Sequence, residues 1–162
     1  MTISWDEYFM TMAYLAAMRS KDESTHCGAV IVDEVNNVVA TGYNSFVRGI
    51  DDNNPDRQKR PEKYLWFEHG ERNAIYSAAM RGCKLNGCKI YVTGIPCADC
   101  ARGIIQVGIK EVIVEKRESF GEEWNDSMKV TMKMFEEAGI KFRLTDVKFI
   151  REIYEFTRGE KL

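Results

Sequence analysis

Two short stretches of this chain, His69-Gly70-Glu71 and Pro96-Cys97-Ala98-Asp99-Cys100, hold the residue types that could do chemistry. Together they read H-x-E…P-C-x-x-C. One imidazole and two thiolates fill three positions of a tetrahedral zinc ion and leave the fourth for water. Water on such a metal ionises near neutral pH instead of near ~16, so hydroxide becomes available for attack. Glu71 follows the histidine by two residues, a spacing that reserves it for moving protons rather than for holding the same metal.

Taken alone, C-x-x-C fits a structural zinc knuckle or a redox pair as well as a catalytic site, and H-x-E says almost nothing. The conjunction, in this order and with proline directly before the first cysteine, favours a catalytic zinc. A redox pair would leave Glu71 unexplained. A closed structural site would need a fourth protein ligand, which only His26 or Cys27 stands ready to supply. Cys27 reads better as a small buried hydrophobe, and Cys83 and Cys88 as packing residues. One zinc per subunit is expected.

These residues must be positioned by a chain of 162 residues, 44% hydrophobic and 30% charged. That fits a single soluble domain over 1–162 with a core of its own. The net charge of −2 removes the usual electrostatic argument for nucleic-acid binding. No apolar run reaches the ~18 residues of a membrane span, and the start lacks the basic-then-apolar order of a signal peptide. Five cysteines, an odd number, suit a metal site in a reducing compartment better than a disulfide framework.

Trp5, Phe9, Met12, Ala13, Ala16 and Ala17 recur at helical spacing, behind a capping box formed by Ser4 and Glu7. Gly28–Val32 and Val38–Tyr43 form a hairpin signal. The polar stretch from Asn44 to Pro61 is long enough to suggest a functional connection. Glu62 to Met80 reads as one helix with His69 and Glu71 toward its start or middle. Lys89–Thr93 is a strand, and Cys97 to Val107 a helix beginning at or just after the proline and stopped by Gly108. The strand Glu111–Glu115, the helix Asn125–Ala138, the strand Ile140–Leu144 and a helical tail over 146–158 follow. Strands alternating with helices in the second half predict parallel pairing there, joined to an antiparallel opening hairpin. The expected fold is α/β: a three-layer α/β/α domain on a mixed sheet of about five strands, with helices on both faces. Cysteines three apart near a helix start share one face, where the helix dipole favours thiolate.

At these residues the chain resembles the cytidine deaminase superfamily, most closely its deoxycytidylate deaminase branch. The similarity runs through WDEYFMTMAYLAAMRSKD, CGAVIVD, GYNSFVRG, HGERNAI, IYVTGIPCADCARGIIQVGIKEVIV and FEEAGI. The H-x-E…P-C-x-x-C pattern is the zinc deaminase signature. The R-S-K-D and G-Y-N segments resemble deoxycytidine nucleotide deaminases more than free-nucleoside or transfer-RNA ones. The resemblance implies that His69, Cys97 and Cys100 hold zinc and that Glu71 shuttles protons. It implies that Asn44 bonds the sugar hydroxyl or base edge, and that Gly28 and Ala29 offer backbone contacts to the cytosine. Arg19, Ser20, Lys21 and Ser24 become candidates for phosphate contacts, and Arg48 joins them because a planar fork suits a phosphate.

Two departures stand out. Gly70 lies where the family usually has alanine, and glycine in a helix costs up to ~1 kcal/mol. The loop from Arg48 to Trp66 also lacks the extra cysteines and histidines with which some relatives bind a structural zinc. The expected reaction is hydrolytic deamination of dCMP to dUMP and ammonia, with dCTP as an alternative substrate. The resemblance further implies a cytoplasmic homohexamer regulated by dCTP and dTTP, with Mg2+ accompanying a bound triphosphate. A deaminase of another base, a non-catalytic zinc module and an inactive regulatory subunit are the rival readings.

Overall fold

A computed structural model describes residues 3–117 and 126–147. Helix α1 (Trp5–Ala17) begins at the expected capping box: the Glu7 N–H donates to Ser4 Oγ at 3.2 Å, and the Ser4 N–H to Glu7 Oε2 at 2.7 Å. Its buried stripe is Phe9, Met10, Ala13, Tyr14 and Ala17, whereas Trp5 is exposed and Met12 and Ala16 only half-buried. The stripe is thus rotated from the expected one. Tyr14 is drawn inward because its hydroxyl donates to Glu115 under the sheet.

The hairpin strands β1 (Gly28–Val32) and β2 (Val38–Tyr43) pair antiparallel, and β1 also pairs antiparallel with β5 (Lys89–Val92). Strands β6 (Glu111–Glu115) and β7 (Lys141–Thr145) continue the sheet in parallel, giving the order β2-β1-β5-β6-β7. Strand β1 is buried along its whole length, so its alternating side chains serve two cores. Val30 and Val32 pack with Phe9, Met10, Ala13 and Tyr14 of α1. Ala29 and Ile31 face the other way, into a core with α3 (Gly70–Met80), α4 (Ala98–Gln106) and α5 (Asp126–Ala138). This is the three-layer α/β/α arrangement expected from the alternation. Asp6 ties the first helix to the last strand, accepting two bonds from the Arg143 guanidinium at 2.6 and 2.7 Å. Among the described residues no helix is long and apolar enough to cross a membrane.

The stretch 62–80 is not one helix. It divides into a short helix α2 (Lys63–Trp66), a strand β4 (Phe67–Glu68) and α3. Phe67 and Glu68 pair with strand β3 (Ser45–Phe46), forming a small second sheet. His69 then takes an extended backbone (φ −79°, ψ 156°) as the N-cap of α3. The cross-strand partners lie on a segment more than twenty residues earlier, so local periodicity could not reveal the break. The helix expected over 146–158 lies, from residue 148 onward, outside the described residues.

Two glycines set how closely the helices approach the sheet. A Cβ on Gly28 would lie 1.9 Å from the Ala13 carbonyl of α1, and one on Gly42 would lie 2.2 Å from the Gly70 carbonyl of α3. Gly42→Ala is therefore expected to destabilise the fold by about 1–3 kcal/mol. Because the clash falls on the first turn of α3, urea denaturation and kcat should both register it. A variant matching the parent in both would refute this account.

Candidate metal centre and active site

Two helix starts converge beside β1. His69 caps α3, Cys97 caps α4 with an extended backbone (φ −72°, ψ 169°), and Cys100 lies in the first turn of α4. His69 Nδ1 is 3.5 Å from Cys97 Sγ and 3.5 Å from Cys100 Sγ. The three donor atoms lie within 4.8 Å of one another and form the only such group among the described residues. Tetrahedral zinc with bonds of about 2.3 Å to sulfur and about 2.0–2.1 Å to nitrogen places those donors about 3.6 Å apart. The observed spacing fits the ion.

The electrostatics point the same way. A hydrogen bond from Cys100, with help from His69 and against burial, brings the Cys97 thiol down to about 4. Cys100, as the donor in that bond and buried, is pushed up. His69 is raised, chiefly through its contact with Cys97. An imidazole and two thiols, one of them readily ionised, in so small a space make a site that a divalent cation such as zinc can fill by displacing protons.

Glu71 occupies the first turn of α3 and is 5% exposed. Burial pushes its carboxyl above the ordinary carboxylate range, opposed by a backbone N–H and by His69. It lines the same cavity, of about 480 Å³, as His69 and Cys97. Cavities of about 300–1,000 Å³ are typical of small-ligand sites. Gly70 is the first residue of α3, where a glycine weakens the helix less than in its interior, and a Cβ there would lie 3.2 Å from the Cys27 carbonyl. Cys27 also lines the cavity, its thiol pushed up to about 12 by burial and by the nearby Glu71 charge. Cys88 is buried, and Cys83 packs against the core beneath α3–α5.

Asn44 lines the cavity and is held on both sides of its amide. Oδ1 accepts from the Cys27 N–H at 2.7 Å, and Nδ2 donates to Asp22 Oδ2 at 2.9 Å and to the Thr25 carbonyl at 2.8 Å. These bonds use one of the two lone pairs of Oδ1. Gly28 and Ala29 are not among the residues lining the cavity. The Gly28 N–H donates to Thr93 Oγ1 at 3.0 Å, and Ala29 is paired with Gly42 on one side and Val92 on the other.

The expected phosphate contacts are not gathered around the cluster. Arg19, Lys21 and Arg48 line a separate cleft of about 180 Å³. There Lys21 pairs with Asp52 at 2.5 Å, and Arg48 donates to Ser77 Oγ at 3.1 Å. The Ser20 hydroxyl donates to the Asn44 carbonyl at 2.7 Å, and the Ser24 hydroxyl donates to Asp22 at 2.8 Å. The turn after α1 is bonded to Asn44, so Ser20 and Ser24 brace the cavity wall, whereas Arg19, Lys21 and Arg48 line the separate cleft beside Thr41–Tyr43.

Sequence reasoning missed the pair that closes that wall. Lys63 Nζ lies 2.6 Å from Asp22 Oδ2, with side chains 7% and 3% exposed. The same ammonium donates to Asp22 Oδ1 and to Ser24 Oγ. Burial alone would raise the Asp22 carboxyl, but bonds from Lys63 and Ser24 outweigh it and hold the group below its usual range. Nothing in the pattern around Lys63, which follows Arg60-Pro61-Glu62, marks it as buried.

Residues 3–116 match the family model described as the cytidine and deoxycytidylate deaminase zinc-binding region. The chain is 38% identical over 161 residues to mouse deoxycytidylate deaminase, covering 95% of this chain and 86% of the relative. The human deoxycytidylate deaminase matches at the same identity and coverage. The crystal structure of dCMP deaminase from cyanophage S-TIM5 in complex with dCMP and dUMP superposes with a TM-score of 0.70 at 23% identity. That match covers 90% of this chain and 99% of the phage chain, and establishes the shared fold. With its H-x-E and P-C-x-x-C halves brought together on two helix starts, this chain belongs to the zinc-binding family of cytidine and deoxycytidylate deaminases.

Proposed function

We propose that the chain deaminates a deoxycytidine nucleotide hydrolytically, converting dCMP and water to dUMP and ammonia. One observation carries this reading: His69, Cys97 and Cys100 converge, and His69 and Cys97 line one cavity together with a buried Glu71. It is supported by near full-length similarity to proteins named deoxycytidylate deaminase.

A zinc ion held by His69, Cys97 and Cys100 would supply the Lewis acidity that makes water nucleophilic near neutral pH. The remaining work belongs to the chain. Glu71 takes up the proton that water surrenders and passes it to N3 of the cytosine, which makes C4 electrophilic. It then takes the remaining proton of the oxygen now bonded to C4 and delivers it to the amine, which leaves as ammonia while the C4 carbonyl forms; burial that lifts its carboxyl favours this alternation between base and acid. Asn44, held by Asp22, Thr25 and the Cys27 N–H, keeps one acceptor lone pair toward the sugar. The hydrophobic wall contributed by Phe67, Val92 and Ile95 flanks a planar base.

The family resemblance supports a single-domain, cytoplasmic, homohexameric enzyme that responds to dCTP and dTTP. Magnesium enters this reading only through a triphosphate, since the His/Cys/Cys set is not the oxygen set that ion takes. An ammonia-release panel over dCMP, dCTP, CMP, deoxycytidine and an RNA substrate, with and without dCTP and dTTP, tests the reading. Fastest turnover is expected on dCMP. Turnover on RNA alone would overturn it.

A further inference from the structure

The cavity wall holds three cationic side chains, and two of them are already committed. Lys63 is buried against Asp22 and Ser24. Arg72 pairs with Glu68, and its Nη1 lies 3.9 Å from Asp99. Arg60 is the third. It forms no ion pair among the described residues, and its guanidinium lies 5.9 Å from the ring centre of Tyr64, which also lines the cavity.

The acidic groups around the same space are Asp22, Glu71 and Asp99. Asp22 is neutralised by Lys63, and Asp99 is shared between Arg102 and Arg72. A nucleoside monophosphate brings close to two negative charges, which an acidic wall would repel and a neutral one would leave uncompensated. Of the cations lining this cavity, only Arg60 is free to meet that charge.

We propose that Arg60 is the phosphate anchor of the substrate cavity and sets its preference for a nucleotide over the free nucleoside. The inference rests on the deoxycytidine nucleotide reading of the same site. A planar fork of donors matches phosphate oxygens two at a time. Arg60 is exposed whereas Glu71 is buried, so the substrate lies with its base inward and its charged end at the wet mouth. The segment after it is pinned: Lys63 locks onto Asp22, and the Lys63 N–H donates to the Lys59 carbonyl at 2.8 Å. That pinning fixes the backbone from which Arg60 projects.

The zinc-loaded enzyme and its Arg60→Gln variant are compared on dCMP and deoxycytidine, and by calorimetric binding of dUMP. Losing one charge-assisted contact should raise KM for dCMP by about 10- to 100-fold. The kcat should hold within about threefold, and kcat/KM for deoxycytidine should not change. Binding of dUMP should weaken in step with KM, and Arg60→Lys should recover part of both. An unchanged KM for dCMP, or equal losses on nucleotide and nucleoside, would overturn the proposal while leaving the reaction standing. A parent that binds dUMP through Arg60 yet releases no ammonia from dCMP would remove the reaction and leave the anchor.

Discussion

Glu71→Gln is expected to lower kcat on dCMP by at least about 10²–10⁴-fold, the usual worth of a positioned general acid–base, while zinc content and fold stay those of the parent. Glutamine matches the shape of glutamate and keeps one acceptor oxygen, but it cannot take up and return a proton. The substituted group is 5% exposed and is not among the three donors of the metal cluster. Replacing a buried carboxyl by a neutral amide also removes a group that burial disfavours in its charged form, so stability should not fall. Metal content by elemental analysis, a thermal melt and single-turnover ammonia release separate the possibilities. Lost turnover together with lost zinc would make Glu71 a ligand support rather than a proton shuttle. Turnover comparable with the parent would end the proposed mechanism.

Breaking the Asp22–Lys63 pair is the change with the largest expected effect on stability. Asp22→Asn leaves the Lys63 ammonium buried with no counter-charge, a situation that costs about 3–5 kcal/mol. In a domain of this size that corresponds to a fall in Tm of roughly 6–20 °C. Lys63→Met should cost less. The Asp22 carboxylate would still accept from the Ser24 N–H and hydroxyl, the Thr25 N–H and Asn44 Nδ2. The double variant should fall well short of the sum, because the two changes remove one shared interaction.

The pair also has a definite pH dependence. Asp22 is held below its ordinary value in the folded chain, so the unfolded chain binds that proton more tightly. The stability it supplies is therefore complete above about pH 5, beyond the unfolded carboxylate range, and is lost as pH falls through the depressed folded value. The Tm gap between parent and Asp22→Asn should accordingly narrow in acid. A gap that widened as pH fell would show that the carboxylate is not the stabilising form.

Local pattern and tertiary context divide the molecule sharply. Several features that depend on neighbours a few residues apart were legible in the sequence, although the buried stripe of α1 was not read in its true rotation. The Ser4–Glu7 capping box, the unbroken apolar run of β1 and the alternation of β5, α4, β6, α5 and β7 all follow from contacts within one element or between consecutive ones. The spacing of Cys97 and Cys100 is of the same kind, since one helical turn sets it. The split of residues 62–80 was hidden because Phe67 and Glu68 leave helical geometry to pair with Ser45 and Phe46.

Among the candidate functional residues, types and order alone pointed to the chemistry: two thiolates, an imidazole and a carboxylate at spacings that suit a metal and a proton carrier. Tertiary structure decided where those groups stand and which charges surround them. Asp22 and Lys63 are 41 residues apart in the chain, and no periodicity links them. Nothing in the sequence separates the arginines and lysines between Arg19 and Arg72 into groups. Folding sends Arg19, Lys21 and Arg48 to one cleft, and Arg60, Lys63 and Arg72 to another. The His69 and Cys97 stretches were recognisable because a metal site constrains residue type wherever it occurs. The partners of a surface or buried charge are chosen only when distant segments meet, and that choice belongs to the fold.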